Sequence, residues 1–147
     1  MNQPSNRDRV PRSRASEAVR GAAGPNGAVL IVEHDPDLQT QLARMLAREG
    51  RRVVAAASCD GALALLSAWA VDLVLVAEDL PGVDGLELVR DLRAVAPTTP
   101  MVLMAEHVHD AQLVARLAGA VACLVKPFQL EALREILGSL PLAQPAT

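Results

Sequence analysis

Between Ala28 and Leu140, short runs of consecutive apolar residues alternate with segments in which apolar residues recur every three or four positions. Ala28-Val29-Leu30-Ile31-Val32 is apolar throughout and rich in β-branched residues, the pattern of a strand covered on both faces. Asp35-Pro36 follows, a helix-capping residue ahead of a proline suited to the first turn. Leu38, Leu42, Met45 and Leu46 then share one helical face, and Gly50 ends the helix. The alternation repeats. Arg52–Ala57 is a weaker strand, and Ser58 or Asp60 can cap a helix carrying Leu63, Leu66 and Trp69. Val71–Val76 is a second strongly apolar strand, and Ala77–Gly85 is a loop with Pro81-Gly82 and Asp84-Gly85 as turn signals. Leu86–Val95 is helical through Leu86, Val89 and Leu92; Met101–Met104 is a strand; His109–Leu117 is a helix with Leu113 and Leu117. Ala122–Val125 is the last strand and Gln129–Leu140 the last helix, with Leu133, Ile136, Leu137 and Leu140 on one side.

Five strand-helix alternations imply a doubly wound α/β domain: a five-stranded parallel sheet of (βα)5 type, helices on both faces, right-handed crossovers. In such sheets ligands and chemistry sit at the carboxyl ends of the strands.

Composition narrows the classes. Hydrophobic residues make up 51% of 147 residues, enough for one well-buried core. The net charge of −3 argues against a strongly basic nucleic-acid binder. The longest apolar runs, such as Ala120–Val125, fall far short of the roughly 18–20 residues of a membrane span, so neither nucleic acid nor membrane is expected as a partner. Cys59 and Cys123 form neither a zinc motif nor a disulfide framework and read as reduced thiols of a cytoplasmic protein. Residues 1–27 differ from the rest: five arginines (Arg7, Arg9, Arg12, Arg14, Arg20) stand against Asp8 and Glu17, with Pro4, Pro11 and Pro25. This stretch has no apolar secretory core and reads as a disordered tail of charge +3, leaving −6 on the remainder. Residues 28–140 are then the domain and 141–147 a frayed end. Among 14 basic residues Lys126 is the only lysine, and Phe128 is the only phenylalanine.

The predicted strand ends carry Glu33-His34-Asp35, Ala77-Glu78-Asp79-Leu80-Pro81-Gly82, Ala105-Glu106-His107 and Lys126-Pro127-Phe128. With Val29–Glu33, Asp72–Val76, Leu80–Leu88 and Leu124–Phe128 in this order and spacing, the sequence resembles the receiver domain of bacterial response regulators, of CheY-like fold, over about Ala28 to Leu140. That resemblance implies a phosphoryl-transfer crevice. Two acids after the first strand and an aspartate after the third hold Mg²⁺, the same aspartate attacks phosphorus, and a Thr or Ser and a Lys bind the phosphoryl oxygens. Such chemistry needs hard charged oxygens for the metal and cations to offset developing charge.

Carried over residue by residue, the pattern fails at its centre. The acceptor position, four residues before Pro81, is Ala77, whose methyl group neither accepts a phosphoryl group nor binds metal. The second acidic position is His34, a poor Mg²⁺ ligand. The Thr/Ser position is Ala105 and the aromatic switch position Cys123. Glu33, Lys126 and Pro127 keep the family form. No catalytic residue is assigned and no enzymatic activity is expected, with Mg²⁺ binding weak or absent and no cofactor.

Two readings of Lys126 stand side by side: a retained phosphate-site cation, or an ammonium that pairs Glu33 and quiets repulsion among the acids. Glu78 and Asp79 are the alternative carboxylates for phosphoryl transfer. Glu33, Asp35 and Asp79 are weak candidates to collect a cation. The histidines His34, His107 and His109 are expected at the same end, where imidazoles suit Zn²⁺, Ni²⁺ or Cu²⁺ better than Mg²⁺. Leu113, Leu117, Cys123 and Phe128 mark the candidate interaction face. The expected function is that of a stand-alone pseudo-receiver in a two-component phosphorelay. It would act without phosphorylation, by contact with a histidine kinase, another receiver, a regulatory protein or a second copy. The alternatives are phosphotransfer through Asp79 or Glu78, and small-ligand or metal sensing in the vacated crevice.

Overall fold

The computed structural model describes residues 27–106 and 119–140. Its element order is β1 (Ala28–Val32), α1 (Pro36–Arg48), β2 (Arg52–Ala56), α2 (Cys59–Ala68), β3 (Val71–Ala77), α3 (Gly85–Val95), β4 (Met101–Ala105), β5 (Ala122–Val125) and α4 (Leu130–Ser139). The five strands form one parallel sheet in the order β2-β1-β3-β4-β5. The reversal of strand order at β1 and β3 opens a crevice at their carboxyl ends, the usual place for a site in an open α/β sheet.

The central strands are apolar because both faces are covered. Every residue of β1 and β4 is buried, as are the last five of β3. In the edge strand β2 only Ala56 is buried, which is why its sequence signal is weaker. On one face α1 and α4 are joined by Arg134, whose guanidinium lies 2.9 Å from Glu49; on the other, α2 packs against α3. Leu42 and Leu46 of α1, Leu66 of α2, Leu88, Val89 and Leu92 of α3, and Leu133 and Leu137 of α4 fill the space between helices and sheet.

Local chemistry sets the helix starts. The carboxylates of Asp35 and Asp84 accept from the backbone N–H groups of Asp37 and Leu86 at 3.0 Å, satisfying otherwise orphaned donors. Ser58, not Asp60, caps α2, accepting from Gly61 N at 3.1 Å. Two strands run one residue further than their apolar pattern predicts. β3 includes Ala77 and β4 includes Ala105, because the ladder continues through Ala77 beside Met104 and Ala105 beside Val125. The peptide bond between Lys126 and Pro127 is cis. No helix among the described residues is long and apolar enough to cross a membrane. The predicted 1–27 tail (but for Gly27), the helix at His109–Leu117 and the 141–147 end lie outside the described residues.

Candidate functional site

Four strand ends converge on one buried carboxylate. Glu33 directly follows β1, and its backbone is fixed on both sides. Its N–H donates to Ala56 O at 3.0 Å, and its carbonyl accepts from Gln39 Nε2 at 2.8 Å. The side chain is 1% exposed. A carboxylate so placed needs a partner for each oxygen, and it has them. Oε1 accepts from Lys126 Nζ at 2.8 Å and Oε2 from Asp35 N at 3.1 Å, with His34 Nδ1 3.4 Å from Oε2.

Lys126 arrives from β5. Its backbone N–H donates to Ala105 O at 2.7 Å, which aims the side chain back across the crevice. Nζ also reaches Asp79 Oδ1 at 3.3 Å and lies 3.8 Å from Glu106 Oε2. Burial opposes the ammonium's charge, but the hydrogen bond and charge of Glu33, with help from Asp79, outweigh it and hold Lys126 above its ordinary value. At Asp79 burial again works against the charge. The neighbouring ammonium prevails and keeps the carboxyl below the usual aspartate range.

Ala77 stands where β3 ends, fully buried. The next residue, Glu78, donates its N–H to Met104 O at 2.8 Å and accepts from Gly85 N through its carbonyl at 3.3 Å. Glu78 Oε1 accepts from Glu106 N at 3.5 Å, so this side chain turns toward β4, while Asp79 turns into the crevice. Ala105 is fully buried at the end of β4.

The structure redistributes some of the residues read from the sequence. Glu33, His34 and Asp79 come together, with a donor atom from each lying within 4.8 Å of the others. Asp35, expected with them, instead spends its carboxylate on the cap of α1. Cys123, placed on the interaction face, is 7% exposed and belongs to the core, while Phe128 is half-buried against that core. His107, His109, Leu113 and Leu117 lie outside the described residues. Glu106 and Gln39 were not singled out beforehand. The position of Glu106 after β4 was the available signal, whereas nothing local in the sequence marks Gln39 as the brace of the Glu33 carbonyl.

The donor set fits Mg²⁺ poorly. That ion takes near-octahedral oxygen ligands, and here the imidazole of His34 and the methyl group of Ala77 stand in place of carboxylates while an ammonium already holds Glu33 and Asp79. A cavity of about 460 Å³ lies over the cluster, lined in part by Glu33, His34, Asp79 and Lys126.

The model of a protein family, the response regulator receiver domain, matches residues 29–138. The response regulator protein FleR of Pseudomonas aeruginosa is 37% identical over 119 residues, 77% of this chain and 25% of that protein. The transcriptional regulatory protein AfsQ1 of Streptomyces coelicolor is 36% identical over 103 residues, 69% of this chain and 45% of that protein. The chain thus spans less than half the length of either relative. Among solved structures, the receiver domain of NtrX from Brucella abortus is similar with a TM-score of 0.70 at 28% identity, over 75% of this chain and 94% of that one. The chemotaxis protein CheY4 of Vibrio cholerae is similar with a TM-score of 0.71 at 25% identity, over 77% and 97%.

Proposed function

The chain belongs to the response regulator receiver domains of two-component signalling systems, and on that premise we propose that it signals by protein–protein contact, without phosphorylation at the end of β3. As a receiver domain it is a signalling module. The observation that carries the proposal is the pairing of Ala77, a fully buried methyl group at the acceptor position, with Lys126, whose ammonium is taken up by Glu33 and Asp79. A nucleophile is absent where the reaction needs one, and the cation that would meet the incoming phosphoryl group has intramolecular partners. The ammonium of Lys126 stands where it offsets part of the crevice's negative charge, so in this reading the crevice depends little on Mg²⁺ or any other cofactor.

Its output is contact in trans with a histidine kinase, another receiver, a regulatory protein or a second copy. Contact with neither nucleic acid nor membrane is part of this reading, and the compartment is the cytoplasm.

One observation favours a second reading: Asp79 is ionised, partly exposed and 3.3 Å from Lys126, so its carboxylate is a candidate alternative acceptor. Incubation with Mg²⁺ and acetyl phosphate, followed by intact mass, separates the two. The wild-type chain is expected to keep its mass, and beryllofluoride to leave the crevice amide resonances in place. A mass gain of one phosphoryl group that disappears in Asp79→Asn overturns the first reading and establishes the second.

A further inference from the structure

The end of the sheet that carries Lys126 is acidic, and beside it lies a groove of about 390 Å³ between α1 and the turn that follows β5. Leu38 and Met45 of α1 and Phe128 of the turn give it an apolar floor; Asp35, Asp37 and Glu106 stand on its rim. All three rim carboxylates are exposed; the Lys126 ammonium also lines the groove, 3.8 Å from Glu106 Oε2 but nearer to Glu33 and Asp79, so the three carboxylates leave the rim with net negative charge. The groove therefore offers negative charge around an apolar strip.

The chain contains a segment of the opposite kind. Arg7-Asp8-Arg9-Val10-Pro11-Arg12-Ser13-Arg14 places four guanidinium groups around one apolar pair, and residues 1–27 carry +3 while the rest carries −6. We propose that Arg7–Arg14 docks into this groove of its own chain, with Val10-Pro11 over Leu38, Met45 and Phe128 and the flanking arginines on Asp35, Asp37 and Glu106.

Three considerations favour this occupant. The cations are all arginine, whose planar fork matches a carboxylate with two parallel hydrogen bonds. The tether is long enough. α1 returns antiparallel to β1 over 13 residues, so its first turn lies about 20 Å from the level of Gly27. The 13 residue steps from Arg14 to Gly27 reach about 43 Å when extended. Attachment to the same chain also makes docking intramolecular, at an effective concentration on the order of millimolar, which a free peptide or a second copy in dilute solution does not match. The inference stands apart from the phosphorylation reading, since Asp79 does not line the groove.

The test compares amide spectra of the full chain with those of the full chain bearing R7S, R9S, R12S and R14S together. Docking predicts shift differences concentrated at Asp37, Leu38, Met45, Glu106 and Phe128. They should disappear when salt is raised to about 1 M, where the screening length falls to about 3 Å, and should not change on dilution. The reciprocal variant D37N/E106Q, which leaves the arginines in place, is expected to abolish them as well. No difference between the spectra, or differences scattered away from the groove, overturns the proposal. Differences that fade on dilution assign the groove to the arginine stretch of a second copy and likewise overturn it.

Discussion

Lys126 Nζ donates to Glu33 Oε1 at 2.8 Å, joining residues 93 positions apart and tying the end of β5 to the end of β1 across the two strands between them. Glu33 is almost wholly enclosed and Lys126 is 12% exposed, so neither charge has water as a ready substitute for the other.

Removing the ammonium is therefore expected to destabilise the fold. Lys126→Met leaves Glu33 as a buried, uncompensated carboxylate and should lower the unfolding free energy by about 2–4 kcal/mol, toward the figure for breaking a buried pair. Glu33→Gln in the Lys126→Met background should recover part of that loss. Urea denaturation of the two single variants and the double variant gives the coupling directly. Strict additivity would show that the 2.8 Å pair contributes nothing of its own.

Restoring an acid at the end of β3 is expected to strain the crevice. Ala77 is fully buried beside a cluster that already holds Glu33 and Asp79 for one ammonium. In EDTA, Ala77→Asp should lose about 1–2 kcal/mol to like-charge repulsion and desolvation, lowering Tm by roughly 5–10 °C for a domain of this size. Thermal unfolding followed by circular dichroism checks it. An unchanged or higher Tm counts against an acidic surrounding for Ala77.

Gly85 should tolerate no side chain. A Cβ there would stand 2.5 Å from Glu78 Cα and 2.9 Å from Ala77 O, both backbone atoms that cannot step aside alone. Gly85→Ala is expected to cost about 2–3 kcal/mol as an overpacked contact. Gly138, near the end of α4, has no atom within 4 Å of its would-be Cβ, and Gly138→Ala should gain about 0.5 kcal/mol through helix propensity. Denaturant midpoints of the two variants should move in opposite directions.

The Asp79–Lys126 contact should appear in the pH dependence of stability. Asp79 titrates below its ordinary 3.8 in the folded chain, so its contribution is present above about pH 4 and is lost as pH falls through the lower folded value. Lys126 titrates above 10.5, so its contribution is present below that pH and is lost as pH rises through the higher folded value. Because the Asp79 side chain is 39% exposed, the effect should stay within about 1 kcal/mol. Stability curves of wild type and Asp79→Asn should differ at neutral pH and converge in acid. A constant offset through the acid range overturns the assignment.

Much of the fold was legible because burial on both faces writes itself into β1, β3 and β4 as unbroken apolar runs, and because Asp35-Pro36 and Gly50 punctuate α1 in standard ways. The strand ends were less so. Ala77 and Ala105 suit a strand or a loop equally in one dimension, and only the sheet neighbours Met104 and Val125 draw them into β3 and β4. The direction of Asp79 was hidden for a related reason. A carboxylate one residue beyond Glu78 has no local signal that it turns inward, and what turns it is an ammonium delivered from β5. Capping drew Asp35 away from the cluster it had been expected to join. Ser58 and Asp60 were equal candidates until the position of Gly61 N selected the hydroxyl.

Because Lys126 is the only lysine of the chain, amine-directed chemistry addresses a single side chain at the centre of the crevice. Reductive methylation with isotopically labelled formaldehyde would convert Nζ to a dimethylammonium without removing its positive charge, and the α-amino group, which reacts as well, is told apart by titrating well below a lysine. The Nζ resonance would follow the ion pair with Glu33 through any titration or partner addition, so the protein offers a single side-chain reporter at its crevice without engineering.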